Sequence, residues 1–312
     1  MRQRRARDGP WLDSPDAAVS RAGTAAGSSE SDAARAAAGS SVTDAQCTEF
    51  LRWALPRLRM RWAGFRKVRR QVCRRVERRV HELDLPGVDA YRTYLDSTPD
   101  EWPQLDALCH VTISRFYRDR GVFGFLERSV LPELARAAAA RAESIEAWSA
   151  GCASGEEPYT LALVWEYAVG PMFPTVALHV LATDADETII RRARAASYHE
   201  GSLRELPSTW RRSGFVRRGD HHHLRPRLRR LVTIVEHDVR DPAPDGPFDL
   251  ILCRNLAFTY FDAALQREVA RNLTKALRKG GALVVGSHEK LPEETSGLVP
   301  WCSRPGVYRR ST

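Results

Sequence analysis

Residues 148–163 read WSAGCASGEEPYTLAL, and this stretch decides the fold. A short apolar run leads into it, Gly151 and Gly155 follow, and a helical pattern then extends from Glu157 to Val169. Glycines let the backbone turn tightly and approach a ligand, and proline is well tolerated in the first helical turn, where Pro158 lies. The stretch therefore predicts a strand, a ligand-binding loop and a helix.

The same alternation of strand and helix patterns continues towards the C-terminus. Short apolar runs are typical of buried parallel strands. The predicted strands are Ile145 to Ser149, Leu178 to Ala182, Leu231 to Val235, Phe248 to Cys253 and Ala282 to Val285, with further helices at Glu187 to Ala196 and Ala263 to Leu277. This order predicts an α/β fold with a doubly wound, Rossmann-like sheet and a ligand at the carboxyl ends of its strands.

The domain organisation follows from changes in composition. Residues 1–42 contain almost no large apolar residues after Leu12, which predicts a disordered tail. Residues 43–135 have helical patterns, which predict a small, basic, all-helical domain, and residues 136–312 form the α/β domain. Within it, residues 200–230 interrupt the rhythm and predict a small insertion.

Basic charge is concentrated in one segment. Residues 51–80 carry twelve Lys or Arg and a single acid, Glu77, whereas the net charge of the whole chain is only +9. Valines at i+4 spacing predict an amphipathic helix here, with an arginine face formed by Arg66, Arg70, Arg74 and Arg78. Such a face could be a solvated surface, but its charge also makes an acidic partner plausible.

Several classes of protein are not expected. No stretch approaches the roughly 20 apolar residues of a membrane span, and the N-terminus resembles neither a secretory signal nor, given its acids, a transit peptide, so we expect a cytoplasmic protein. The six cysteines have no metal-type spacing and are predicted to be reduced, mostly buried thiols. His221, His222 and His223 are predicted to form a solvated turn, because successive residues cannot all face one metal ion.

Acidic residues follow the first two predicted strands. Glu156 and Glu157 would repel a pyrophosphate at the helix N-terminus but could hold an ammonium, which favours S-adenosylmethionine over NAD. Either one could instead only complement the helix dipole. Asp184 could accept hydrogen bonds from ribose hydroxyls, although it or Asp186 could also cap the next helix.

Several separated motifs resemble the CheR family of chemotaxis methyltransferases. They are the stretch quoted above, then ATDAD, FDLILCRN with TYFD, GGALVVGSHEKL and, upstream, TISRFYRDRGVF, in the family order over roughly residues 43–310. The resemblance implies a monomeric enzyme that uses S-adenosylmethionine to methylate glutamates of an acidic protein such as a chemoreceptor.

The resemblance also implies roles for particular residues. Arg118 would place the substrate carboxylate and Tyr260 would steady the attacking oxygen. The implied cofactor-binding residues are Thr112, Ser114, Arg118, Gly151, Glu157, Asp184, Asp238, Val239, Cys253, Arg254 and Asn255. Thr112 and Asp238 stand where the family usually has Asn, and CRNLAFTYFD is one residue longer before Tyr260 than the usual form.

Two alternatives stay open at the level of sequence. Arg118 could be a surface arginine paired with Asp119. The protein could also be a non-catalytic sensor or docking module that binds an acidic protein or nucleic acid through the arginine face. Trp53, Trp62 and Phe65 would support nucleic acid, but their spacing equally suits a helix core, and we do not expect nucleic-acid binding.

Overall fold

The strands predicted from the apolar runs lie side by side in one seven-stranded sheet. A computed structural model describes residues 42–293, 295–302 and 305–311 of the protein, so the tail predicted at 1–42 lies, except for Val42, outside the described residues. Its strands are β1 (Ile145–Ala150), β2 (Leu178–Asp184), β3 (Ser197–His199), β4 (Phe215–Arg218), β5 (His221–Leu224), β6 (Val232–Glu236), β7 (Phe248–Leu252), β8 (Leu277–Val284), β9 (Leu298–Pro300) and β10 (Val307–Arg310).

Helices cover both the N-terminal part and the faces of the sheet. They are α1 (Asp44–Ala54), α2 (Trp62–Phe65), α3 (Arg69–Glu82), α4 (Val88–Ser97), α5 (Trp102–Cys109), α6 (Arg120–Phe125), α7 (Leu131–Arg141), α8 (Glu156–Val164), α9 (Glu187–Ala195), α10 (Ser208–Gly214), α11 (Pro226–Arg229), α12 (Ala257–Tyr260) and α13 (Ala263–Ala276). Within the described residues, none of them is long and apolar enough to span a bilayer.

The order in which the chain adds strands reverses at the centre of the sheet. Its strands pair in the order β6-β2-β1-β7-β8-β10-β9, and the first five are parallel. The chain builds outward from β1 through β2 and β6, then returns to place β7 on the other side of β1. The predicted doubly wound α/β fold is confirmed, and a switch point between β1 and β7 is where such sheets bind ligands.

The N-terminal helices share an apolar core with one face of the sheet. Buried Phe65, Val76 and Tyr91 belong to the same cluster as Trp148 of β1 and Ile251 of β7. The described residues lie in one compact unit, and the domain boundary at residue 135 stays a prediction. The helical segment therefore lies where it can form one wall of a site at the sheet.

The amphipathic pattern of α3 is confirmed. Val72, Val76 and Val80 are buried, with at most 2% of their surface exposed. The four side chains of the arginine face are all exposed: Arg66, Arg70, Arg74 and Arg78. Since the valines bind this helix to the core, Arg70, Arg74 and Arg78 are held outward as a fixed basic surface, and Arg66 lies just ahead of the helix.

A second, antiparallel sheet pairs in the order β3-β5-β4. The solvated turn predicted for His221, His222 and His223 is wrong, because these residues form most of β5. Their alternating exposure shows the reason: only His222 is buried, and its Nε2 lies 2.7 Å from a carboxylate oxygen of Glu200. Successive residues of a strand point to opposite faces, so a strand can expose His221 and His223 to solvent while it buries His222.

The expectation that all cysteines are reduced is wrong for one pair. Cys47 of α1 and Cys73 of α3 form a disulfide, with their Cα atoms 5.9 Å apart. They lie on facing sides of two packed helices, a proximity that spacing in the sequence cannot reveal. Cys109, Cys152 and Cys253 are free and buried, as predicted, and Cys302 is free and exposed.

Candidate functional site

A cleft opens at the carboxyl ends of β1, β2 and β7, beside the switch point. The space within it, open solvent at its mouth included, is about 990 Å³. The predicted site residues that line it are Thr112, Ser114, Arg118, Gly151, Glu157, Asp184, Asp238, Val239, Arg254, Asn255 and Tyr260. Cys253 is placed elsewhere: its fully buried side chain belongs to the apolar core beneath the cleft.

The backbone conformation of the glycine loop favours glycine at its first position. Gly151 has a φ of +77°, and a Cβ there would lie 2.3 Å from a methyl carbon of Leu256. Gly155, with a φ of +91°, directly precedes α8. Both glycines therefore adopt a backbone conformation that other residues rarely adopt, and the loop between them turns tightly beside the cleft.

Asp184 is held at the end of β2 by two backbone N–H groups. Those of Ala153 and Asp186 donate to its carboxylate oxygens at 2.9 and 3.2 Å. Burial raises the pKa of Asp184 above its usual value of 3.8. The helix cap is supplied by Asp186, which accepts from the N–H groups of Thr188 and Ile189. This division leaves Asp184 available to a ligand in the cleft.

Glu157 is paired with a buried arginine. Its carboxylate accepts from Arg254 at 2.9 Å and from Ser149 Oγ at 2.8 Å. Arg254 also donates to Asp119 at 2.7 Å, so two acids surround one guanidinium whose side chain is only 2% exposed. One net negative charge remains in this group, which is compatible with a cationic cofactor although Glu157 is not free.

Glu156 is more deeply buried than its neighbour. It is 3% exposed and accepts from Ser154 Oγ at 2.9 Å. Burial raises the pKa of Glu156 above its usual value. Through Ser154, the glycine loop is tied to the start of α8.

A cluster that sequence reasoning missed fixes Asp238. Arg240 donates to both carboxylate oxygens of Asp106 at 3.0 and 2.6 Å and to Asp238 at 2.6 Å. Burial alone would raise the pKa of Asp106, but hydrogen bonds from His110 and Arg240 outweigh it and lower the pKa to about 2. Asp106 on α5 and His110, which caps that helix, are spaced i, i+4, and this spacing was the signal that the sequence offered.

A buried carboxylate holds the loops that follow β7 and β8 together. Glu289 accepts from the N–H of Asn255 at 2.7 Å, from the N–H of Gly286 at 2.6 Å and from Thr259 Oγ1 at 2.6 Å. Asn255 has a left-handed φ of +57°, so its backbone is fixed by this contact in a conformation that favours glycine or asparagine. Sequence reasoning quoted the segment GSHEKL but did not assign Glu289 a role.

From the outer side, Arg61 binds the short helix α12. Its side chain donates to the carbonyls of Thr259 at 3.1 Å and Phe258 at 2.6 Å, and its backbone N–H donates to Tyr260 O at 2.8 Å. Cations are favourable at a helix C-terminus because the last carbonyls lack partners. Tyr260 lines the cleft despite the additional residue before it. Glu289 and Arg61 both bind residues that directly precede it, among them Thr259.

The fold and the site together define a class of protein. Proteins that bind a nucleotide-type cofactor have a doubly wound sheet with a glycine loop, an acid after the second strand and a cleft at the switch point. A family model described as CheR methyltransferase, SAM binding domain, matches residues 112–302. The chain belongs to the CheR methyltransferase family, and its cofactor is S-adenosylmethionine.

Named relatives support the same family assignment. The chain is 34% identical over 185 residues to a chemotaxis protein methyltransferase of Listeria innocua, covering 59% of this chain and 68% of that one. It is 31% identical over 233 residues to a probable chemotaxis protein methyltransferase of Rhizobium etli, covering 72% and 85%. A chemotaxis protein methyltransferase of Salmonella typhimurium is 29% identical over 232 residues, covering 71% and 76%.

The first prediction tests Asp184 as the ribose ligand. Asp184→Ala should weaken S-adenosylmethionine binding by about 2 kcal/mol, because two hydrogen bonds to a diol would be lost. Calorimetry measures the affinity. The wild-type affinity should also fall as the pH drops towards the raised pKa of Asp184, since the protonated acid accepts less well, and the variant should lose this dependence.

Asp186→Ala is the matched control for that measurement. It removes the cap of α9 and should lower the free energy of unfolding by roughly 1 kcal/mol, while cofactor affinity stays near the wild-type value. Equal loss of affinity in both variants would show that Asp184 acts only through the fold.

The second prediction concerns Glu289. Glu289→Gln replaces an acceptor-only group with one that also carries two donors, facing three groups that all donate. The backbone N–H groups of Asn255 and Gly286 lose a charged acceptor, and the Thr259 hydroxyl must reverse to accept from the new amide, so the free energy of unfolding in urea should fall by about 1–2 kcal/mol. Exposed Glu293 is the control: Glu293→Gln should change stability by less than roughly 0.5 kcal/mol. An equal effect of the two changes would contradict the proposed contacts.

Proposed function

We propose that the protein transfers the methyl group of S-adenosylmethionine to glutamate side chains on an acidic, helical protein surface. The names of the relatives, chemotaxis protein methyltransferases, make a chemoreceptor signalling region the acceptor of choice. The observation that carries the proposal is Arg118, a guanidinium on the wall of the cleft with no acidic partner among the described residues.

The chemistry is a displacement in line with the bond that breaks. A glutamate oxygen attacks the methyl carbon, an ester C–O bond forms, and the electrons of the C–S bond stay on sulfur to give neutral S-adenosylhomocysteine. No general base is needed, because a glutamate is already ionised at pH 7. Opposite charges cancel as the reaction proceeds, so the chain need only align the two reactants and exclude water.

Arg118 is suited to hold the acceptor carboxylate. One of its terminal nitrogens donates to Ile113 O at 2.9 Å, which leaves further donors directed elsewhere. The alternative pairing with Asp119 is not supported, since Asp119 accepts from Arg254 instead. A guanidinium can bind a carboxylate in bidentate fashion and so fix which oxygen faces the methyl group.

Tyr260 is suited to donate to the same carboxylate. Burial raises the pKa of its phenol above the usual value of 10, so the hydroxyl keeps its proton at neutral pH. Arg118 and Tyr260 both line the cleft. Together they form a small cationic and donor-rich surface for an acid.

The arginine face provides a docking surface beside the cleft. Phe65 lines the cleft, and Arg66 follows it directly. Arg78 has only a long contact of 3.6 Å with exposed Glu82, so most of the basic charge of this face remains available to an acidic helix. Such a surface speeds encounter with an oppositely charged partner.

Nucleic acid is a weaker candidate for this surface. Trp53 has the guanidinium groups of Arg57 and Arg92 at 4.4 and 4.6 Å from its ring, and Arg52 lies 5.3 Å from the ring of Trp62. Arginines thus occupy the aromatic faces on which bases would stack. A non-catalytic docking module is likewise disfavoured, because the groups suited to hold the acceptor line the cleft.

The third prediction separates catalysis from cofactor binding. With receptor-containing membranes and labelled S-adenosylmethionine, the wild type should produce base-labile label, as expected of an ester. Arg118→Ala should lower turnover by about 100-fold or more, because the carboxylate loses its charge partner in the reacting complex. Calorimetry should find cofactor affinity changed by less than about threefold.

Tyr260→Phe is the companion variant. It removes one donor and keeps the ring that packs 5.1 Å from Phe65, so turnover should fall more mildly, by roughly tenfold. Full activity of Arg118→Ala on an acceptor that the wild type methylates would overturn its assigned role.

The fourth prediction tests the arginine face. Arg70→Glu combined with Arg74→Glu should raise KM for a protein acceptor and weaken its salt dependence, because steering by exposed charges is screened as the Debye length falls from about 10 Å at 0.1 M to about 3 Å at 1 M. Cofactor affinity should not change. Initial rates at several salt concentrations provide the measurement.

Its control carries the same change of charge elsewhere. Arg136 on α7 and Arg212 on α10 are exposed, so reversing both to Glu should leave KM near the wild-type value. An equal rise in KM would show that net charge, and not the arginine face, attracts the acceptor. Steeply salt-dependent binding of the wild type to DNA or RNA would instead favour the nucleic-acid alternative.

A further inference from the structure

The three-stranded sheet carries an exposed cluster of histidine and aspartate that the methyl-transfer site does not use. His199 ends β3, His221 begins β5, and Asp220 lies in the turn between β4 and β5. Each residue offers one ligand atom, and these atoms all lie within 4.8 Å of one another. We propose that His199, Asp220 and His221 bind a divalent transition-metal ion of the zinc class.

The backbone fixes two of the three ligands. His199 and His221 are register partners in the antiparallel pair of β3 and β5, and their ring centroids lie 4.1 Å apart. Directly opposed residues keep their Cβ atoms roughly 5 Å apart whatever the side chains do. The two imidazoles are therefore neighbours because of the sheet, before any ion is considered.

The hairpin turn brings the third ligand to the pair. Gly219, with a φ of +61°, lets the chain reverse between β4 and β5, and Asp220 follows it. An Oδ1 atom of Asp220 lies 2.8 Å from Nδ1 of His221. The carboxylate thus reaches the histidine pair from the turn, so that the three ligands come from β3, from β5 and from the turn that precedes β5.

The donor set selects the class of ion. Two imidazole nitrogens and one carboxylate oxygen are typical ligands of zinc and its neighbours, whereas calcium and magnesium prefer all-oxygen sites. Around a tetrahedral ion at about 2.1 Å, ligand atoms lie roughly 3.4 Å apart. The present separations require only small rotations of exposed side chains, and solvent can supply the remaining ligand.

The neighbouring histidines do not join this group. His222 faces the other side of β5, where it contacts Glu200. His223 shares the face of His221, but its register partners are Ser197 and Val216, neither of which is a ligand for zinc in this setting. His223 therefore offers a matched control: a half-buried histidine on the same face of the same strand, outside the cluster.

Binding here would connect the small sheet to the cofactor loop through existing contacts. Tyr198, next to His199, donates through its hydroxyl to Ser154 O at 2.8 Å, and its ring packs 4.8 Å from that of Phe116. An ion that ties β3 to the β4–β5 hairpin would stiffen the support beneath the glycine loop. Arg218, the register partner of His221 on β4, opposes the charge of the ion, so we expect an affinity in the micromolar range.

The test is a zinc titration of the full chain after treatment with a chelator. Isothermal calorimetry should find one ion per chain with a Kd near 10 μM, and zinc should raise Tm. His199→Gln and His221→Gln should each weaken binding at least tenfold, whereas His223→Gln should bind zinc like the wild type. Circular dichroism confirms that each variant is folded, which is expected because the first two changes are at exposed or half-exposed positions.

Cobalt substitution identifies the donor atoms independently. A cobalt complex of the wild type should lack a sulfur-to-metal charge-transfer band, which excludes binding at exposed Cys302. The proposal is overturned if zinc at 100 μM does not bind, if His223→Gln weakens binding as much as His199→Gln, or if the cobalt spectrum shows sulfur ligation.

Discussion

The cleft depends on one buried cation, Arg254, and on the acids that surround it. Its guanidinium donates to Glu157 at the start of α8 and to Asp119 ahead of α6, and it lies 5.2 Å from the ring centroid of Phe123. It also donates to the backbone carbonyl of Arg118 at 3.0 Å. A buried charge tolerates the loss of a partner poorly, so these segments are constrained to meet at the end of β7. The side chain of Arg118 is consequently presented from a backbone that the centre of the sheet holds in place.

The arginines of the basic N-terminal segment have two different roles, which the composition alone does not distinguish. Arginines that face inward bind specific groups: Arg61 binds carbonyls of α12, and Arg79 pairs with Glu101, which is only 4% exposed and also accepts from Tyr91. Arginines that face outward have few partners and form the arginine face. With twelve basic residues in thirty positions, sequence periodicity separates the outward stripe but cannot show which of the others contact distant segments. Those contacts depend on the tertiary fold.

The same distinction explains what the sequence could predict. Apolar runs and glycines are local signals, so the five parallel strands, the loop at Gly151 and the order of these elements were predictable, and Asp184 was a candidate because it lies at the end of a strand. The short antiparallel strands β3, β4, β5, β9 and β10 were not predicted. Side-chain partners remote in sequence were not: Arg240 beside Asp106, Glu289 beside Asn255, and the disulfide between Cys47 and Cys73. The prediction for the three histidines failed for another reason. A run of polar residues is typical of a turn, but a strand such as β5 can also contain one, because its residues alternate between two faces.

The additional residue before Tyr260 illustrates how tertiary contacts absorb a local change. Counting along CRNLAFTYFD suggests that the tyrosine is displaced, yet Asn255 adopts a left-handed backbone and α12 forms immediately afterwards, so the path length through the loop matters less than its anchors. Glu289 binds the loop from the side of β8, and Arg61 binds the end of α12 from the helical segment. Gly64 allows the helical segment to approach α12 closely, because a Cβ there would lie only 2.3 Å from Thr259 O. The reach of Tyr260 into the cleft is therefore set by residues far from it in sequence, so an insertion in the motif is compatible with a cleft that keeps the tyrosine.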